Sequence, residues 1–128
     1  MKELTKAEEQ VMQILWDIKK GFVNDIMEKI PEPKPAYNTI STITRILETK
    51  GFVDHKAYGK SHEYYPVISR EKYTKAFFGG FLNRYFSSSF KQLVSFFSKQ
   101  NNMTIQEMEE IMNILNEQIQ KQKEKVNE

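Results

Sequence analysis

The stretch YNTISTITRILETK, residues 37–50, decides the fold of this chain. On a helical wheel at about 100° per residue, one side carries the apolar residues Ile40, Ile43, Ile46 and Leu47. The opposite side carries Asn38, Ser41, Thr42, Arg45 and Thr49. A solvated helix face usually presents long Lys and Glu side chains, whereas Asn, Ser, Thr and Arg are residue types that bind base edges in the DNA major groove. The stretch therefore predicts an amphipathic helix, which is either a DNA-reading helix or a Thr-rich surface helix.

Two helical patterns precede this stretch. Thr5 and Glu8 form a capping box, which predicts a helix that starts directly after Thr5. Gly21 is placed to end that helix. A second helix is predicted over residues 22–30, and the prolines within residues 31–35 end it because proline lacks the amide donor.

A β-hairpin is predicted after the third helix, which ends at Gly51. Its strands cover residues 52–56 and 63–68, and Gly59 lies in the turn at residues 58–61. Three helices followed by a hairpin is the order of a winged helix-turn-helix domain, in which the third helix enters the major groove. The predicted fold class is therefore mainly α with a small β-hairpin. The alternative is a winged-helix adaptor that contacts only proteins and does not bind DNA.

Composition excludes several classes of protein. The chain has 128 residues and no cysteine, so it has no disulfide framework, thiolate metal site or cysteine nucleophile. No apolar run is long enough to span a membrane, and the charged start MKELTKAEEQ differs from a signal peptide. We therefore expect a cytoplasmic protein with no membrane partner. No nucleophile–base pair and no glycine-rich phosphate loop is present, so the sequence predicts neither an enzyme nor a cofactor.

Positive charge is concentrated around the third helix. Residues 34–62 contain five basic and two acidic side chains, a net charge of +3, although the whole chain carries only +2. Such a patch favours phosphate binding. The predicted DNA-binding residues are Asn38, Thr39, Ser41, Thr42 and Arg45 in the helix, with His55, Lys56, Tyr58 and Lys60 in the hairpin. The alternative for each hairpin residue is an ordinary solvated position. His55 and His62 could face each other across the hairpin and bind a metal, but we expect no third carboxylate or cysteine ligand beside them, so no metal site is predicted.

The C-terminal part of the chain changes character. We predict a DNA-binding domain over residues 1–68 and a helical domain over residues 69–128, in which Gly79 and Gly80 should weaken or bend a helix and residues 87–89 should break it. Asn101 and Asn102 should form a loop, and Thr104 with Glu107 forms a second capping box. The last helix should fray over residues 120–128, which are too polar to be held by packing. These helices are too few to enclose their own core, so they pack either against a second copy or back on the first domain. We favour a homodimer. The predicted dimerisation residues are Phe77, Phe78, Phe81, Tyr85, Phe90, Leu93, Val94, Phe97, Met108, Ile111, Met112 and Leu115.

Most of the chain resembles the penicillinase repressor family, the BlaI/MecI family with copper-responsive (CopY-like) relatives. The resemblance rests on LTKAEEQVMQILW at residues 4–16, on NTISTITRILETKGFVDH at residues 38–55 and on the paired aromatics Tyr64 and Tyr65 that end the hairpin. It implies a dimeric bacterial repressor that binds an inverted-repeat operator in double-stranded DNA through the third helix and the wing.

Two features of the sequence depart from the pattern of that family. Relatives that a membrane-bound sensor protease regulates are cut at an Asn-Phe bond, where this chain has Phe96 and Phe97. A sensor protease is therefore a partner only if it cuts another bond. The copper-responsive relatives carry a C-terminal cysteine cluster, and this chain has no cysteine, which excludes that switch in its known form.

Overall fold

The computed structural model describes residues 2–100 and 103–127. The described part is mainly helical with a two-stranded antiparallel hairpin, which confirms the predicted fold class. The elements are α1 (Lys6–Ile18), α2 (Val23–Lys29), α3 (Tyr37–Thr49), β1 (Val53–Tyr58), β2 (Ser61–Pro66), α4 (Arg70–Phe86), α5 (Phe90–Lys99) and α6 (Ile105–Val126). By their contacts they form two compact units, one ending at Gly80 and the other starting at Phe81. No helix in the described ranges is both long and apolar enough to cross a membrane.

The start of α1 follows the prediction, but its end does not. The Thr5 hydroxyl accepts from the Glu8 amide and the Glu8 carboxylate accepts from the Thr5 amide, which is the predicted capping box. The helix ends at Ile18 with Lys19 at a φ of 74°, so the prediction that Gly21 ends it was wrong. Gly21 instead exchanges two backbone hydrogen bonds with Tyr64 of β2, at 2.9 and 2.8 Å.

The core of the first unit lies between α1, α2, α3 and the hairpin. Its buried side chains are Leu4, Val11, Met12, Leu15, Val23, Ile26, Ile30, Ile40, Leu47, Phe52, Val53, Tyr64 and Tyr73. On α3 the predicted apolar stripe needs one correction, because Ile46 is 42% exposed while Thr44 is fully buried. The Thr44 hydroxyl donates to the Ser41 carbonyl at 2.8 Å, so its polar group is satisfied inside the core.

The turn of the hairpin is tighter than predicted, and both strands lie closer to the tip than the predicted residues 52–56 and 63–68. β1 and β2 pair from Val53↔Pro66 to Tyr58↔Ser61. The turn therefore consists of Gly59 and Lys60, and the φ of Gly59 is +63°. We call the hairpin, residues 53–66, the wing. Two-residue turns with positive φ match the twist of paired strands, which explains why pairing continues to the tip.

The first turns of α4 pack on the first unit. Tyr73 is buried, its hydroxyl accepts from the Leu4 amide at 3.1 Å, and its ring lies 5.8 Å from that of Phe52. Arg70 donates to Asp17 at 2.6 Å. The functional boundary predicted between residues 68 and 69 stays a prediction.

The glycine pair does not interrupt α4. The helix runs through Gly79 and Gly80 and ends at Phe86. Ser87 and Ser88, which follow it, have positive φ values of 50° and 60°. The predicted break at residues 87–89 is therefore confirmed, and no break occurs at the glycines.

The second unit contains α5 and α6. Ser89 caps α5, and Thr104 with Glu107 forms the capping box of α6. A loop was predicted at Asn101 and Asn102, which lie outside the described residues. The prediction that the chain frays over its polar end was wrong, because α6 continues to Val126. Gln, Lys and Glu are good helix formers, so this segment is helical without a buried face.

Candidate nucleic-acid interface

The polar face of α3 is presented to solvent. Asn38, Thr39, Thr42 and Arg45 are exposed, and Ser41 is half-buried. The exposure follows from the sequence, because Ile40, Thr44 and Leu47 turn the opposite side of the helix into the core. α3 therefore displays the predicted set of hydrogen-bonding side chains on one surface.

Local hydrogen bonds orient this face without using all its capacity. The Thr42 hydroxyl donates to the Asn38 carbonyl at 2.8 Å. Arg45 makes two long contacts, from Nε to the Ser41 carbonyl and from Nη2 to the Thr42 hydroxyl, both at 3.4 Å. A guanidinium has five N–H donors, so most of its donors point to no acceptor within the described chain. This arrangement suits bidentate recognition of an acceptor pair such as guanine O6 and N7.

The wing carries the predicted basic residues on its surface. Lys56 and Lys60 are exposed, and Tyr58 is 49% exposed. The Lys56 ammonium lies 5.2 Å from the centre of the Tyr58 ring. That ring also lies 5.8 Å from the ring of Phe22, next to α2. Tyr58 therefore connects the wing tip to the start of α2, with the Lys56 ammonium beside its ring.

An open cleft of about 720 Å³ lies between α2, α3 and the wing. The predicted residues Ser41, Arg45, Tyr58 and Lys60 line it together. The other predicted positions, Asn38, Thr39, Thr42, His55 and Lys56, are not among its lining residues.

The cleft also contains residues that sequence reasoning missed. Tyr37, which is 51% exposed, and His62 both line it. Tyr37 is the first residue of α3 and directly precedes the predicted DNA-binding residues. Its position next to them could have indicated that it belongs to the same surface. His62 had no comparable signal, because its position depends on how the two strands pair.

His55 is engaged within the protein. Its Nδ1 contacts the Glu48 carboxylate, and its ring stacks on the ring of His62 with centroids 4.0 Å apart. The Asp54 carboxylate accepts from the His55 amide at 2.7 Å. The expectation that no carboxylate lies near the two histidines was therefore wrong.

An ion pair fixes the C-terminal end of α3 to the start of α1. The Lys50 ammonium contacts both oxygens of the Glu8 carboxylate, at 2.8 and 2.6 Å. Burial alone would raise the pKa of Glu8, but the bond from Lys50 and the bonds from Thr5 outweigh it, and the pKa lies below its ordinary value. Glu8 therefore links the cap of one helix to the end of another and helps to orient α3.

Three helices followed by a wing, with a polar face of the third helix exposed, define a winged-helix protein. Comparison with known proteins then places it more closely. The chain belongs to the penicillinase repressor family, whose family model, described as Penicillinase repressor, matches residues 4–117. This match confirms the resemblance seen in the sequence, and a family of repressors agrees with the expectation that the chain is not an enzyme.

Individual relatives match over nearly their whole length. The chain is similar to the methicillin resistance regulatory protein MecI of Staphylococcus aureus (strain N315), with 33% identity over 115 residues, covering 89% of this chain and 94% of that protein. It is similar to the penicillinase repressor of Bacillus licheniformis, with 25% identity over 123 residues and coverage of 95% and 96%. A penicillinase repressor of Staphylococcus aureus is 28% identical over 116 residues, covering 90% of this chain and 92% of that protein.

Proposed function

We propose that this chain is a dimeric transcriptional repressor of the bacterial cytoplasm that binds an inverted-repeat operator in double-stranded DNA through α3 and the wing. The observation that carries the proposal is the joint exposure of the polar face of α3 and the basic wing around one cleft. Its membership of a family of repressors, with relatives named as regulatory and repressor proteins, gives the direction of regulation.

The DNA contacts divide into two kinds. Arg45, Ser41, Thr42 and Asn38 contact base edges, and Thr39 either contacts a phosphate or serves only as a residue of the helix start. Arg45 is the principal specificity residue, since bidentate Arg–guanine is the commonest specific contact. The wing residues Lys56, Lys60, Tyr58 and His55 contact the flanking phosphates, which fix the position and orientation of the protein without reading sequence.

The second unit supports dimerisation. Met108, Ile111, Met112, Leu115 and Ile119 recur at helical spacing along α6. Met112 is 60% exposed and Leu115 is 53% exposed, and no residue of α6 is buried. A continuous apolar stripe in water indicates a missing partner. A second copy would cover it by two-fold symmetry and present two α3 helices to two half-sites.

Two earlier expectations bear on this dimer proposal. The proposed interface also includes the other residues predicted from the sequence, which are Phe77, Phe78, Phe81, Tyr85, Phe90, Leu93, Val94 and Phe97. The proposal does not include a sensor protease, because Phe96 occupies the position of the asparagine at which the protease-regulated relatives are cut.

The DNA-binding proposal is tested by gel-shift titration with duplex DNA from upstream of the gene for this chain. Arg45→Ala should weaken specific binding by about 5- to 150-fold for each half-site, equivalent to about 1–3 kcal/mol for each lost contact. Binding to unrelated duplex should change much less. The control is Lys75→Ala, which removes one positive charge from an exposed pair on α4. An equal loss on every duplex would make Arg45 a phosphate ligand, and no duplex binding by the wild type would favour the protein-contact adaptor.

The dimer proposal is tested by light scattering after size-exclusion chromatography. Leu115→Glu places a charge in the apolar stripe, so the mass should fall from that of two chains to that of one. Asn113→Glu adds the same charge to the opposite face of α6 and should leave the mass unchanged. A monomeric wild type, or equal behaviour of the two variants, would contradict this interface.

A further inference from the structure

Three potential metal ligands converge where α3 meets the wing. Glu48 lies in the last turn of α3, and Asp54 and His55 lie at the start of β1. One donor atom from each of the three side chains lies within 4.8 Å of the other two. The side chains of Glu48 and His55 are only 33% and 27% exposed. Asp54 is exposed. The cluster therefore joins two separate elements, and two of its three side chains are partly shielded from water.

The orientations of these groups are already fixed. The His55 ring is held at its edge by Glu48 and on its flat face by His62, with an angle of 7° between the two ring planes. The Asp54 carboxylate is held by the His55 amide at 2.7 Å. The stacking of His62 on His55 and the bond from the His55 amide to Asp54 remain when a metal binds, and supporting contacts of this kind orient metal ligands in proteins. His62 does not belong to the group of donors that lie within 4.8 Å of one another, so it acts as a support and not as a ligand.

The local charge also favours a cation. Within residues 2–100 and 103–127, neither Glu48 nor Asp54 forms an ion pair with a lysine or arginine. These two carboxylates nevertheless lie at the junction of the two elements proposed to contact DNA. Carboxylates that face a polyanion repel it, and a bound dication would cancel both charges.

We propose that Glu48, Asp54 and His55 form a binding site for a transition-metal dication such as Zn²⁺, which connects α3 to β1. Imidazole with carboxylates suits Zn²⁺ and its neighbours, whereas Mg²⁺ and Ca²⁺ prefer oxygen ligands alone. Ligand bonds of about 2.0–2.2 Å place donor atoms roughly 3.4 Å apart around a tetrahedral ion. Small side-chain rotations bring the cluster to that spacing, and water occupies the fourth position. The metal replaces the contact between His55 and Glu48.

The site is tested without DNA, by isothermal titration of the full chain with ZnCl₂ in a buffer that does not chelate metals. We expect one ion per chain and at least a ten-fold weaker association for Glu48→Gln and for Asp54→Asn. Glu71→Gln removes an equal charge from an exposed carboxylate on α4 and should bind as the wild type does. No binding to the wild type would overturn the proposal. Full binding by both cluster variants would also overturn it, because the two histidines alone would then hold the ion.

A second measurement tests the connection between α3 and the wing. Saturating Zn²⁺ should raise the melting temperature of the wild type but not that of Glu48→Gln, since the variant cannot link the two elements. An equal rise in both would overturn the proposed ligand set. The consequence for DNA rests on the proposed function: operator affinity should rise several-fold with Zn²⁺ relative to chelator. Because titration and melting need no DNA, failure of the metal site is distinguishable from failure of DNA binding.

Discussion

The ion pair between Glu8 and Lys50 gives a quantitative prediction about how α3 is held. We consider Glu8→Gln, Lys50→Met and the double variant. Glu8→Gln keeps an oxygen that accepts from the Thr5 amide, so the helix cap is retained while the charge is removed. Lys50→Met keeps an unbranched side chain and removes the ammonium. The cycle of variants therefore isolates the ion pair from the cap.

The expected magnitude follows from the burial of the two partners. The Glu8 side chain is 5% exposed, and the Lys50 side chain is 26% exposed. A hydrogen bond to a charged group contributes about 1.5–3 kcal/mol. Because water reaches Lys50 in part, we expect a coupling energy near the lower end, about 1.5–2 kcal/mol. Glu8→Gln should lower the melting temperature by roughly 6–8 °C, at about 4 °C per kcal/mol for a chain of this size.

The coupling energy is measured by urea unfolding of the wild type and the three variants. Lys50→Met should be the more destabilising single variant, since it leaves a buried carboxylate without its partner. The exposed pair between Glu71 and Lys75 serves as the matched control, with an expected coupling of at most about 0.5 kcal/mol. A coupling energy for Glu8 and Lys50 as small as that of the control would refute the view that this pair orients α3.

Two further predictions concern acid and salt. The lowered pKa of Glu8 means that its contribution to stability is complete above the ordinary carboxyl value of 4.5 and is lost as the pH falls below it, through the folded value. Urea midpoints of Glu8→Gln should therefore fall less steeply than those of the wild type between about pH 5 and pH 3, and parallel curves would contradict this. The double variant Lys56→Gln, Lys60→Gln should reduce the salt slope of operator binding by the dimer by roughly 3.6, which is about 0.9 for each of the four phosphates that its two wings no longer bind. Its preference among operator sequences should be unchanged, and an unchanged slope would show that the wing does not contact the backbone.

Local sequence signals predicted the elements well. The capping boxes at Thr5 and Thr104 set the starts of α1 and α6, and the 3.6-residue period identified the buried and exposed sides of α3. Such local signals do not predict contacts between residues that are far apart in the sequence. Gly21 was predicted to end α1, but its backbone instead forms a bridge to Tyr64 of β2. Thr44 is buried although its residue type is polar, because its hydroxyl bonds one turn back along the same helix.

The candidate site was likewise predictable from local sequence signals only in part. Exposure of Arg45 and its neighbours follows from helical periodicity, which a sequence displays directly. The cleft does not follow from helical periodicity, because the Tyr58 ring contacts Phe22 only when the wing packs against the start of α2. The approach of Glu48 to His55 likewise depends on the direction of β1 after the turn at Gly51, where φ is +84°. No spacing along the chain encodes that direction.

The central claim is that two copies of α3 read a symmetric DNA site. The most direct measurement is a footprint of the purified full chain on the DNA upstream of its gene, at two salt concentrations and with unrelated duplex as competitor. We predict a protected region with two-fold symmetry, whose half-sites lie one or two helical turns apart, and whose protection weakens steeply as salt rises. Protection of a single half-site would contradict the dimer. Binding that unrelated duplex removes equally well would contradict sequence-specific recognition by α3.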